Sequence, residues 1–297
     1  DKRILWALLL LSMVACQTFS FPFQERLENI LEPLIEEALK SERKLEELVK
    51  APKKVRQTDC AATSDLVTSL PYWNPDDEFP CMYAGTINTD GQDHELFYWM
   101  FTNPDATKPL ALWLNGGPGA ASMFGLFLEN GPLRVKRTGD TQDDYQVYLN
   151  PEGSWVDVAH MIFVDQPVGV GFSYGTPLIT EMQVGADEIR DLILGVYAIH
   201  PELATNEFYM TGESYAGKYL PIMAQTIMDY NDGIPTPDPV IPLSGVIIGD
   251  PYNSPPMQRL RTPVVPRSLN ILAESNMIQV DTMQRHCEEA METLNTQ

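Results

Sequence analysis

The chain is short of positive charge and of histidine. Only 20 Lys and Arg stand against 41 Asp and Glu, for a formal net charge of −21 at pH 7. That balance excludes nucleic acid and anionic membrane surfaces as partners, because both call for a cationic face. The 4 His and 4 Cys fall nowhere at metal-ligand spacing, so no metal centre is expected. A phosphate-binding glycine loop and internal repeats are also missing, and the expected cofactors are none. The one long apolar run, Ile4 to Cys16, is shorter than the roughly 20 residues that a transmembrane helix needs. No membrane anchor is therefore expected.

What is present begins with that run. Lys2 and Arg3 precede it and small residues close it, which is the pattern of a secretory signal peptide, placed at 1–20. A secretory chain is thus expected, in a lysosomal, vacuolar or extracellular setting. The following segment, 21–59, carries Leu27, Ile30, Leu31, Leu34, Ile35, Leu39, Leu45 and Leu48 at helical spacing, with Pro33 as a kink or boundary. It reads equally as a removable pro-segment, cut at the basic run Lys53 to Arg56, or as a helical extension. From residue 60 onward, strands are predicted near Leu96–Phe101, Pro109–Leu114, Met161–Val164, Glu207–Met210 and Leu243–Gly249. They alternate with helical stretches, as in a mostly parallel sheet.

Within this frame, TGESYAGKYLP places Ser214 between Glu213 and Tyr215, with Gly212 and Gly217 close by. EFYM before it reads as a buried strand, and GKYLPIMAQTIMDY after it as a helix with Leu220, Met223, Ile227 and Met228 on one face. Ser214 therefore falls at a strand-to-helix turn, which lifts a hydroxyl out of a sheet and aims helical amides at its target. The pattern is Gly-x-Ser-x-Ala, Ala216 standing where the commoner form has glycine. These residues alone fit an ordinary turn equally well. A second element, PLALWLNGGPGAASMFGLFLENGP, runs from a buried strand into Asn115, Gly116, Gly117, Pro118 and Gly119. Glycines so dense let backbone amides approach a ligand closely.

WLNGGPG, FLENGP and GESYAGKYLP, together with FVDQPVGVGFSY and SDLVTSLPYW, resemble the serine carboxypeptidase family almost continuously from Asp65 to Asp250. The resemblance implies an α/β-hydrolase fold, a mostly parallel central sheet with helices on both faces. It implies Ser214 as nucleophile and the amides of Gly117 and Tyr215 as the oxyanion hole. Asn115, Gly116, Glu129 and Glu213, with Trp113, would bind the terminal carboxylate of a peptide or protein substrate. Two carboxyl groups facing one anion cannot all be ionised. Glu129 and Glu213 would then share a proton, and binding would weaken as pH rises.

In this fold the acid and the histidine of the triad follow the nucleophile. His94, His160 and His200 precede Ser214 and are in the wrong order. His160 reads as a strand-edge residue and His200 as a helix C-terminal cap. His286 follows the serine but lies in an amphipathic helical stretch, the start of an insertion, and is not the expected base. Asp250 is read as a wall of the site. The expectation is an incomplete chain, 60–297 being the N-terminal part of the domain, with the C-terminal strands and the triad acid and base outside it. Cys16 falls at the leader, leaving Cys60, Cys81 and Cys287, with their pairing open. Ala120 and Ala121 stand where the family has Cys and Ser. Two further readings stay open: a catalytically inactive binding or protective protein, and an acyltransferase on the same scaffold. Homodimer formation is also open.

Overall fold

The computed structural model describes residues 60–89, 93–141, 144–233, 239–259 and 263–295. The expected leader and the 21–59 segment lie outside them. The strands are β1 Met82–Asn88, β2 Glu95–Phe101, β3 Leu110–Leu114, β4 Leu133–Arg137, β5 Tyr145–Leu149, β6 His160–Val164, β7 Phe208–Glu213 and β8 Leu243–Gly249. The helices are α1 Met123–Leu128, α2 Met182–Ile199, α3 Ala216–Gly233, α4 Pro255–Arg259, α5 Val264–Ser268 and α6 Glu274–Asn295.

Six strands form one sheet in the order β1-β2-β6-β3-β7-β8, and β4 pairs with β5 in a separate hairpin. β6, β3, β7 and β8 run parallel, while β1 and β2 are antiparallel additions. All five residues of β3 and all five of β6 are buried, as expected of central strands covered on both faces. Alternate side chains sort to opposite sides. Leu110, Leu112, Leu114, Ile162 and Val164 pack against α2 and α3. Ala111, Trp113, Met161 and Phe163 pack against Met123 and Leu126 of α1 and Leu133 and Val147 of the hairpin.

On α2 the buried stripe is Ile189, Leu192, Ile193 and Val196, the i, i+3, i+4, i+7 pattern of an amphipathic helix. On α3 it is Tyr219, Leu220, Met223, Ala224 and Ile227. Met228, expected on that face, is instead exposed, because one residue beyond Ile227 turns it by about 100° away from the sheet. β1 and the β4–β5 hairpin have no counterpart among the sequence-predicted strands. Both depend on pairing partners rather than on long apolar runs.

The two edges of the sheet differ. Beyond β1, the segment 65–67 runs alongside, with Ala84 N donating to Asp65 O and Val67 N to Met82 O. Beyond β8 no described strand follows, and Val246 and Ile247 are 40% and 53% exposed. The chain then continues as α4 to α6. No described helix is long and apolar enough to cross a membrane.

Segment 60–67 is tied down twice. Cys60 and Cys81 form a disulfide, a pairing the sequence left open, while Cys287 has no disulfide partner among the described residues. Asp65 accepts hydrogen bonds from Tyr98 Oη, at 2.5 Å, and from His200 Nε2, at 2.8 Å. Burial pushes the Asp65 carboxyl up, but the hydrogen bonds it accepts outweigh this and hold it below the ordinary 3.8. A depressed folded-state value means stability that is complete above that ordinary value and lost as pH falls below it. Asp65→Asn should cost on the order of 2 kcal/mol at neutral pH, as for hydrogen bonds to a charged group. Urea unfolding should show that loss shrinking towards pH 3, and a loss that does not change with pH would refute the carboxylate's role.

Candidate active site

Parallel strands bring their C-terminal ends together, and the motif residues sit there. β7 ends at Glu213 and α3 begins at Ala216, so Ser214 and Tyr215 form the whole turn. Ser214 has φ +55°, a left-handed conformation that costs a non-glycine residue about 1 kcal/mol or more. Three backbone hydrogen bonds hold it: Ser214 N donates to Gly249 O, while Gly217 N and Tyr252 N donate to Ser214 O. The side chain is exposed.

The glycine loop after β3 lies directly against this turn. A Cβ on Gly116 would come within 2.4 Å of Tyr215 N and 2.9 Å of Ser214 Cβ, so only glycine permits this contact. The Tyr215 amide directly follows the serine, and the Gly117 amide is next in the chain to the Gly116 contact. Among the described residues neither amide donates an internal hydrogen bond, and Ser214 Oγ has no partner. Gly119 N donates to Tyr219 Oη of α3 at 3.3 Å, which ties the far end of the loop to the helix.

Beside the serine, one side-chain amide organises a second cluster. Asn115 is buried. Its Oδ1 accepts from Trp113 Nε1 at 2.9 Å and from Gly125 N at 3.1 Å. Its Nδ2 donates to Glu129 Oε2 and to Glu213 Oε1, both at 3.1 Å. The two acids are therefore neighbours across one nitrogen. Burial, opposed by the Asn115 hydrogen bond and reinforced by the nearby Glu213 charge, raises the Glu129 carboxyl above its ordinary 4.5. Trp113 Nε1 is committed to Asn115, so the indole orients the amide.

The histidines lie elsewhere. His160 begins β6, at the opposite end of the sheet from Ser214; its Nδ1 accepts from Asn103 N, and burial lowers its pKa. His94 is buried with Glu188, 2.6 Å away. His200 caps α2 and pairs with Asp65. His286 is exposed on α6. Asp250, at φ +42°, directly follows Gly249, whose carbonyl receives Ser214 N, and so borders the turn. Tyr252 was not picked out from the sequence, although its ring stacks on Tyr215 at 6.0 Å. Tyr219 and the buried Asp165 and Ser122 were likewise missed as supports. The only available signal was their position within the glycine-rich and DQPVGVGFSY motifs.

If the Glu213 charge helps hold Glu129 up, Glu213→Gln should lower the pH at which Glu129 titrates, followed by carboxyl-carbon NMR. An unmoved midpoint would show that the two acids are not coupled.

Known proteins resemble this chain at the level of family and fold. The family model described as serine carboxypeptidase matches residues 75–297. The chain is 38% identical to the pheromone-processing carboxypeptidase KEX1 of Ogataea parapolymorpha over 226 residues, 72% of this chain and 35% of that protein. It is also 38% identical to the carboxypeptidase Y homolog A of Paracoccidioides lutzii over 184 residues, 60% of this chain and 31% of that protein. The crystal structure of Kex1ΔP, a prohormone-processing carboxypeptidase from Saccharomyces cerevisiae, superposes with a TM-score of 0.65 at 31% identity, covering 72% of this chain and 48% of that one. The chain thus spans about a third of the length of the two curated relatives. On the family match, the shared fold and the sequence identity together, the chain belongs to the serine carboxypeptidase family.

Proposed function

We propose that the protein is a serine carboxypeptidase that releases C-terminal amino acids from peptides through an acyl-enzyme on Ser214. The observation that carries this reading is the exposed, left-handed Ser214 packed against the Gly116 turn of the glycine loop and directly following Glu213 of the Asn115–Glu129–Glu213 cluster. The proposed nucleophile and the proposed carboxylate-recognition group then adjoin, Glu213 and Ser214 being consecutive residues.

In this reading Ser214 Oγ attacks the last peptide carbonyl as its proton passes to a base. The amides of Gly117 and Tyr215 hold the negative oxygen of the tetrahedral intermediate. The C–N bond breaks, the departing amine takes the proton, and an ester on Ser214 remains. Water then hydrolyses that ester. The base and its acid partner are proposed to come from polypeptide outside the 297 residues, since none of the four histidines adjoins Ser214. Glu129, held up in its protonated form, donates to the substrate carboxylate, and Asn115, oriented by Trp113, fixes where that donor sits. The Cys60–Cys81 disulfide and the apolar leader support an oxidising, secretory compartment.

A second reading, a binding protein that keeps the cleft without the chemistry, draws on the lack of a partner for Ser214 Oγ among the described residues. A fluorophosphonate probe separates the two. The first reading expects covalent labelling of the full-length protein that is abolished by Ser214→Ala; labelling that survives the substitution rules it out.

A pH dependence also follows. The substrate's α-carboxyl ionises near pH 3.5, whereas the folded-state value of Glu129 is raised. Affinity for a free-acid peptide should therefore be highest between these two values and should fall as pH rises through the Glu129 titration. Glu129→Gln, which cannot lose a proton, should flatten that fall in a fluorescence-polarisation titration. A variant whose affinity falls as steeply as the wild type would contradict the assignment.

A further inference from the structure

Asp165 is a fully buried carboxylate that the proposed chemistry does not use. It follows β6 immediately and is 0% exposed. Among the described residues no cation pairs with it, and burial pushes its carboxyl above the ordinary range despite the amides that face it. Those amides come from two different segments. Oδ1 accepts from Met123 N at 3.3 Å and Oδ2 from Phe172 N at 3.0 Å. The Asp165 carbonyl also accepts from Ser173 Oγ, which itself receives Phe97 N at 2.7 Å. The 166–173 loop closes tightly over the carboxylate: a Cβ on Gly171 would lie 2.0 Å from Asp165 Oδ2.

The start of α1 explains what this carboxylate does. Ser122 occupies the N-cap position, yet its side chain makes no capping hydrogen bond. Its buried hydroxyl accepts from Asn115 N at 3.2 Å instead. Asp165 reaches across from β6 and satisfies the first amide of α1 in its place, which is the capping function displaced onto another strand. The exchange frees Ser122 to hold the backbone of Asn115. One turn further along, Gly125 N donates to Asn115 Oδ1. The residue that ends α1 is Glu129, whose N–H donates to Gly125 O. A shift of α1 would therefore move the Asn115 amide and Glu129 together, while Ser214, carried by β7 and α3, would stay in place.

We infer that Asp165 is a positioning residue for the acid-pair cluster: by capping α1 from the neighbouring strand, it sets the spacing of Asn115 and Glu129 that selects a free terminal carboxylate. This rests on the proposed reading of that cluster. It places one support under carboxylate recognition, while the backbone of Ser214 is held separately through Gly249, Gly217 and Tyr252.

The test compares binding of a fluorescein-labelled peptide ending in a free carboxylate with the same peptide ending in an amide, alongside the rate of fluorophosphonate labelling at Ser214. Asp165→Asn keeps the size of the side chain but sets an amide N–H against a backbone N–H. The expected result is a loss of acid-over-amide preference by about tenfold or more, with labelling changed less than about twofold. A folded variant that keeps the wild-type preference overturns the inference, as does one in which preference and labelling fall in equal measure. If Asp165→Asn does not fold, by circular dichroism, Ser122→Ala decides: a reduced preference with intact labelling supports the inference, and an unchanged preference overturns it. A wild-type protein with no acid preference would remove the carboxylate reading itself, and this inference with it. An acid-preferring wild type with an unaffected variant removes the inference alone.

Discussion

The architecture of the site depends on a single side-chain amide. Asn115 uses both faces of its polarity, taking Trp113 Nε1 and Gly125 N on the oxygen and giving its hydrogens to Glu129 and Glu213. An amide buried in this way must find partners for all of its groups, because an unsatisfied buried donor or acceptor costs about 1–3 kcal/mol. The demand is met only if α1 lies at one particular height above β3. The same demand draws two carboxyl groups to one nitrogen, and burial then keeps Glu129 protonated beyond its usual range. Fold and chemistry meet at that amide, since the hydrogen bonds that complete its burial also create the acid pair.

Glu213 ends β7 and Ser214 follows it in the turn, and the two point different ways for a geometric reason. Successive residues of a strand face opposite sides of the sheet. Tyr209 of β7 packs on the α1 side with Trp113 and Phe163, and Glu213, four residues on, shares that side and meets Asn115. Ser214 leaves the strand through a positive φ, which turns its hydroxyl out of the sheet. Gly116 then brings the neighbouring loop against Tyr215 with no side chain between them. Glu213 and Ser214, although adjacent, thus turn to different surroundings without competing for the same space.

Much of this was legible from local pattern. The buried strands β3, β6 and β7, the helix after Ser214 and the glycine loop all follow from short-range periodicity and backbone demands. The supports were less visible. Asp165 and Ser122 are common residue types at unremarkable spacing, and their roles exist only because β6 and α1 are neighbours in space. Met228 was misplaced because helical spacing defines a stripe but not its edge, and the edge depends on what the helix packs against. The hairpin β4–β5 escaped notice for a similar reason: its strands are short, and most of its side chains are exposed or half-buried.

By itself the sequence determined the elbow at Ser214, the close-approach glycines and the positions of the central strands. Each of these depends on the residues immediately around it. Only the tertiary structure decided that Asn115 stands between Glu129, 14 residues away, and Glu213, 98 residues away. It alone paired Cys60 with Cys81. The physical reason is that a parallel sheet gathers the ends of strands distant in sequence. Which polar groups then share a proton or a hydrogen bond depends on that gathering and on the burial it imposes.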